Sequence, residues 1–142
     1  MSRWSPQPAP YEPDGLILFD GVCVFCSRWV RFVIDRDPEW RFSFMAIQSE
    51  RGRALAAQFG IDSEAPQTNA VILGGRIFFK SDAALTVLGA LTATRPLGVL
   101  KAVPRVARDP VYDLIARNRY AIFGRTETCM VPSADDRARF IA

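Results

Sequence analysis

Two cysteines three positions apart, Cys23 and Cys26, with Asp20 three residues ahead of the first, are the residues of this chain whose types and spacing carry chemistry. On a helix, that spacing brings both sulfurs to one side within bonding reach, so a disulfide can form and open with little backbone movement. At a helix start the unpaired N–H groups carry about half a positive charge between them, which favours a thiolate over a thiol and makes a cysteine there a nucleophile. The expected division of labour is that Cys23 attacks a substrate disulfide and Cys26, one turn deeper and on the apolar face, resolves the mixed disulfide. Asp20 has two readings. It accepts a proton from Cys26, or its carboxylate caps the helix, a role typically worth about 0.5–2 kcal/mol.

Other chemistries are bounded by what the chain contains. It has no histidine, which excludes a Cys-His nucleophile pair, histidine zinc ligands and any histidine acid–base step. Three cysteines, Cys23, Cys26 and Cys129, do not make a disulfide framework. Cys129 reads either as a small buried hydrophobe or as a third thiol near the pair. The rival to redox chemistry is a zinc or interaction module in which Cys23, Cys26 and Cys129, with Asp20 as a fourth ligand, form a tetrahedral set. Arg28 and Arg31 either steer an anionic thiol or form a solvated stripe, and Trp29, at helical spacing, reads as core, or as a contact surface where it is partly exposed beside the dithiol. The run Leu16 to Gly21 is also similar to the aspartate loop of haloacid-dehalogenase phosphatases, but Val22 stands where their second aspartate is required, which counts against phosphoryl transfer.

The elements that would position the dithiol are legible around it. Leu16-Ile17-Leu18-Phe19 is a short continuous apolar run of buried-strand type, Asp20-Gly21 supplies turn chemistry, and Cys26, Trp29, Val30 and Val33 then follow helical spacing up to Asp37-Pro38. Arg41 to Ile47 reads as a strand. Ser49 caps a helix reaching Phe59, with Gly60 as its left-handed terminus. Ala70–Leu73 and Arg76–Lys80 flank Gly74-Gly75, a two-residue hairpin signal, and Ser81 is expected to cap a helix to about Leu91. The order β-α-β-α-β-β-α is the thioredoxin-like α/β plan, with the thiols at the carboxyl end of the first strand. Residues 95–142 are read as a helical extension, with Asp109-Pro110 as cap and first position of a helix running to Phe123 and closed by Gly124.

The size, 142 residues and nearly half of them apolar, suits one domain with one core: a flexible proline-rich leader over 1–14, a core over 15–94 and the extension over 95–142. The N-terminus lacks a continuous apolar signal-peptide core and no apolar run approaches the ~20 residues of a membrane span, so a soluble, cytoplasmic protein with no membrane partner is expected. The net charge of +3 is uneven: residues 1–94 carry 9 basic and 10 acidic side chains, residues 95–142 carry 9 and 5. Arg105, Arg108, Arg117, Arg119 and Arg125 are read as the solvated face of a helix, and no nucleic-acid partner is expected because no stacking or reader motif accompanies them.

The motif Asp20-x-x-Cys23-x-x-Cys26 resembles the signature of the DCC family of predicted thiol-disulfide oxidoreductases. The resemblance continues through Gln48-Ser49 with Gly52, the Gly75 hairpin, Ser81-Asp82-Ala83-Ala84, Arg108-Asp109 with Tyr112, Arg119-Tyr120 with Phe123-Gly124, Cys129-x-x-Pro132 and Arg139-Phe140, covering nearly all of residues 16–141. It implies a thioredoxin-like fold and an oxidoreductase exchanging disulfides with a protein or small-molecule thiol; for that reading no cofactor or metal is expected. In one respect the chain departs from thioredoxin-like enzymes, which generally place a cis-proline before the third core strand. Here Thr68-Asn69 occupies that approach, and Pro66 lies earlier in the chain.

Overall fold

The computed structural model describes residues 6–9, 14–21, 23–64, 68–123 and 137–141. Strand β1 (Gln7–Pro8) is followed by β2 (Leu16–Phe19), helix α1 (Val24–Asp35), β3 (Ser43–Ala46), α2 (Glu50–Gln58), the hairpin β4 (Ala70–Leu73) and β5 (Arg76–Phe79), and α3 (Lys80–Ala90). A 3₁₀ segment, Thr92–Ala102, leads into α4 (Arg105–Phe123), and Arg137–Arg139 form a final short turn of 3₁₀ helix.

The sheet order is β1-β5-β4-β2-β3. Strands β2 and β3 run parallel, joined by the α1 crossover, and β4 is antiparallel to both β2 and β5. This is a thioredoxin-like α/β arrangement with one short added strand. That strand comes from the stretch read as a flexible leader: Gln7 and Pro8 pair with Ile77 and Arg76, and Ala9 N–H donates to Gly75 O at 2.8 Å.

The continuous apolar run of β2 is explained by burial on both faces. Leu16 and Leu18 point to one side, where they pack with Met45, Leu55, Ala56 and Ile72 under α2. Ile17 and Phe19 point to the other, against Val30 and Val33 of α1 and Ala83 and Val87 of α3. The alternation follows from the period of two along a strand. Gly74 and Gly75 both have positive φ, 64° and 77°, the conformation a two-residue hairpin turn requires.

Ser49 caps α2 as its sequence predicts, accepting from Gly52 N–H at 3.0 Å, and Gly60 ends that segment with φ 79°. Gly52 is required for a different reason: a Cβ there would lie 2.0 Å from Ala46 O, so α2 seats against the end of β3 at a distance only glycine allows.

Two helix starts differ from expectation. Ser81 does not cap α3. Strand β5 runs directly into the helix through Phe79, the first N–H, that of Lys80, donates to Thr68 Oγ1 at 2.7 Å, and Ser81 donates to Asp109 Oδ1 instead. Asp109-Pro110 does not begin α4, which starts at Arg105 with Pro110 inside it. Proline there removes the bond to the Val106 carbonyl, a loss of ~3 kcal/mol in a helix interior, offset here by contacts that the same turns make with α3. Arg108 donates to Ser81 Oγ and to Asp82 Oδ1, each at 3.0 Å. Arg105 lies 3.6 Å from Asp82. These arginines, read as a solvated face, are thus turned toward the domain, because Asp82 on α3 is buried and needs countercharge.

The chain returns to the sheet near its last described residues. Phe140 bridges Phe44 in parallel, and Ile141 N–H donates to Phe44 O at 2.7 Å. Arg139, buried, forms an ion pair with buried Asp37, whose carboxylate also accepts from the N–H groups of Arg41 at 3.0 Å and Phe42 at 2.9 Å.

Candidate active site

The site stands where β2 ends and α1 begins, at the carboxyl edge of the sheet. Cys23 is the N-cap of α1: its backbone is extended, with φ −88° and ψ 122°, and its sulfur accepts from Cys26 N–H at 3.4 Å. Cys23 N–H in turn donates to Asp20 O at 3.2 Å, and Cys23 O accepts from Ser27 N–H at 3.0 Å, so the turn from strand to helix is hydrogen-bonded on both sides of the cysteine. Both residues are present as thiols. Cys23 is fully buried and Cys26 is half-buried, so exposure runs opposite to the order in which the two sulfurs are expected to act.

Asp20, only 2% exposed, lies at the end of β2. The N-cap position belongs to Cys23, and the Asp20 carboxylate accepts a hydrogen bond from Gln48 Nε2 at 2.7 Å. Gln48 is the residue that reading the sequence for chemistry passed over. Its Oε1 accepts from Gly21 N–H at 2.9 Å, which fixes the amide so that its NH₂ faces the carboxylate. The signal was present in the register. Phe19 pairs with Ala46, and Ile47 N–H donates to Phe19 O at 2.8 Å, so two parallel strands that end together bring Gln48 beside Asp20-Gly21.

Around the dithiol helix, Val30 and Val33 are buried while Trp29 is half-buried and stacks on Phe32 with centroids 5.7 Å apart. Trp29 is therefore packed against the core that Val30 and Val33 belong to while keeping part of its surface open one turn from Cys26. Arg28 and Arg31 are exposed on the outer stripe. Thr68 and Asn69 lead into β4 as expected, and both are tied down: Thr68 Oγ1 bonds Asn69 O at 2.6 Å, and Tyr112 on α4 donates to Asn69 Oδ1 at 2.9 Å while accepting from its N–H at 3.2 Å.

Among the described residues no three histidine, cysteine, aspartate or glutamate side chains gather where they could hold a metal ion. Cys129, Pro66, Pro132, Gly124 and Arg125 lie outside the described residues. Also among the described residues, no helix is long and apolar enough to cross a membrane.

Comparison with known proteins accounts for the arrangement. The protein YuxK of Bacillus subtilis (strain 168), described as uncharacterized, is 41% identical over 130 residues, spanning 91% of this chain and 95% of the relative. A DCC family protein of Arabidopsis thaliana, At1g52590, described as chloroplastic, is 34% identical over 116 residues, 80% of this chain and 67% of the relative. No solved structure matches significantly. The profile of the DCC1-like thiol-disulfide oxidoreductases matches residues 17–125, from inside β2, through the dithiol and both helical layers, to just past α4. With the close cysteine pair at a strand-to-helix turn of a thioredoxin-like sheet, the chain belongs to the DCC1-like thiol-disulfide oxidoreductase family.

Proposed function

We propose that this chain exchanges disulfides with a protein or a small-molecule thiol through Cys23 and Cys26. The observation that carries the reading is the 3.4 Å contact from Cys26 N–H to Cys23 Sγ at the first turn of α1. A hydrogen bond to sulfur, added to the N-terminal end of the helix dipole, favours the charged form, and the thiolate is the reactive one.

The exchange has two steps. Cys23 thiolate attacks one sulfur of a substrate disulfide, forming a mixed disulfide and releasing the other half as a thiolate. Cys26 then loses its proton and attacks the Cys23 sulfur, closing the Cys23–Cys26 disulfide and releasing the second half. The substrate gains two electrons and the dithiol loses them. Asp20, buried at the foot of the helix and oriented by Gln48, is the proton acceptor for Cys26 in this scheme. Because Cys23 is fully buried, its covering has to move before a substrate sulfur can approach in line.

The test is to equilibrate the protein across glutathione redox buffers, alkylate the remaining thiols and locate them by intact mass and peptide mapping. A Cys23–Cys26 disulfide forming in one two-electron transition is expected, and its midpoint separates a reductant from an oxidant. A pair that stays reduced across the range, or that is shielded from alkylation by bound metal, overturns the proposal. Trapping assigns the roles: Cys26→Ser should accumulate a mixed disulfide on Cys23, and accumulation only in Cys23→Ser reverses them.

A further inference from the structure

Helix α4 presents its polar side inward and its apolar side outward. Toward α3 and the approach to β4 it turns Arg108, bonded to Ser81 and Asp82, Asp109, bonded to Ser81, Tyr112, bonded to Asn69, and Asp113, whose carboxylate lies 2.6 Å from Lys80 Nζ. Toward water it turns Val106, Pro110, Val111, Leu114 and Ile115, with Val106 at 85%, Val111 at 59% and Leu114 at 57% exposure. Their spacing places them on one stripe, the reverse of the pattern by which a surface helix buries its apolar side. On that stripe, among the described side chains, Arg117 carries the one charge.

We infer that this stripe is half of a two-fold interface, α4 packing antiparallel against α4 of a second copy of the chain. The area suits it: the outward apolar side chains of α4 expose on the order of 500 Å², enough for the apolar centre of an interface that buries about 800 Å² on each partner. The charge pattern selects the occupant. A helix that lies on an anionic membrane keeps its lysines and arginines along the polar rim, whereas here Arg105 and Arg108 face inward and are engaged with Asp82. A nearly uncharged face meets its own copy without repulsion. In an antiparallel pair centred near Val111, the two Arg117 groups stand roughly 18 Å apart along the helix axes, beyond the range at which exposed charges interact in physiological salt.

The inference is independent of the thiol chemistry and is tested under reductant, so that no intermolecular disulfide contributes. Sedimentation equilibrium of the wild-type chain from micromolar concentration upward should give twice the monomer mass of 15.8 kDa. Leu114→Arg should weaken association at least tenfold while its circular dichroism stays that of the wild type. Val111→Lys, also at an exposed position, serves as the second variant should Leu114→Arg misfold. A wild-type chain that remains at monomer mass at every concentration overturns the inference, whether or not it floats with anionic vesicles. So does a folded variant that associates as tightly as the wild type.

Discussion

Gln48 holds Asp20: its amide NH₂ donates to Asp20 Oδ1 at 2.7 Å while its carbonyl oxygen accepts from Gly21 N–H at 2.9 Å. One side chain from the end of β3 thereby fixes both the buried carboxylate and the turn that delivers the cysteines. Removing it withdraws a donor from a buried anion, which costs more than a hydrogen bond contributes when made. Gln48→Ala should therefore lower unfolding free energy by about 1–3 kcal/mol in urea titrations. Gln48→Glu, which sets carboxylate against carboxylate, should lower it further at neutral pH. Wild-type stability in both variants would show that Asp20 is held by other groups.

Substitutions at Cys23 should separate its cap from its chemistry. Serine is among the preferred N-cap residues, so Cys23→Ser should keep α1 and the thermal midpoint close to wild type, whereas Cys23→Ala should lose roughly 0.5–2 kcal/mol. Neither variant should show a two-electron transition in the redox titration. A Cys23→Ser protein as unstable as Cys23→Ala would mean that the Cys26 N–H contact contributes nothing to the helix start.

Gly52 inverts a common rule. Glycine to alanine inside a helix ordinarily gains about 1 kcal/mol. At this position the added carbon would lie 2.0 Å from Ala46 O, a backbone atom that cannot step aside without moving β3. Gly52→Ala should be destabilising by about 1–3 kcal/mol, the usual range for overpacking, and thermal unfolding gives the sign directly.

The chain's two lysines should acylate at different rates. Burial pushes the Lys101 amine below its ordinary value of 10.5, with the positive charges of Arg108 and Arg76 adding to the effect and Asp82 opposing it. Lys101 Nζ donates to Thr86 at 2.6 Å and sits 4.7 Å from the centre of the Phe78 ring, while Lys80 is paired with Asp113. At mildly alkaline pH a larger fraction of Lys101 is neutral, so peptide mapping after acetic anhydride treatment should show it modified ahead of Lys80. The stability sign follows from proton counting. Between the lowered value and 10.5 the unfolded chain binds more protons, so this group makes stability rise with pH across that window. Lys101→Met should remove that rise, as read from unfolding free energy against pH.

The sheet and the dithiol were legible because local patterns specified them. Leu16–Phe19 had the short continuous apolar run of a strand buried on both faces, Gly74-Gly75 signalled a tight hairpin, and Ser49 had a backbone N–H three residues on from which to accept. The features that were missed depend on partners distant in sequence. Ser81 has the type of a cap, but Thr68 supplies the oxygen that Lys80 N–H needs, and Ser81 is drawn to Asp109 instead. Asp109-Pro110 has the form of a helix start, yet Arg108 and Asp109, both held by α3 residues, lie within a helix that begins four residues earlier. Arg105 and Arg108 of α4 follow the spacing of a solvated stripe, and only the buried Asp82 on another helix turns them inward, while Arg117 stays exposed as that spacing predicts. Gln48 looked like an ordinary polar residue until parallel register set it against Asp20.

The ion pair between Asp37 and Arg139 joins groups 102 residues apart, and both are buried. During synthesis the carboxylate emerges first, with the strands and helices that surround it, and its guanidinium arrives only when nearly all of the chain described here has been made. Without Arg139 the Asp37 carboxylate keeps, among the described residues, only the N–H groups of Arg41 and Phe42, and without Phe140 and Ile141 the β3 edge is unpaired. Phe140 and Ile141 thus cover an edge strand that a chain ending before them would leave unpaired.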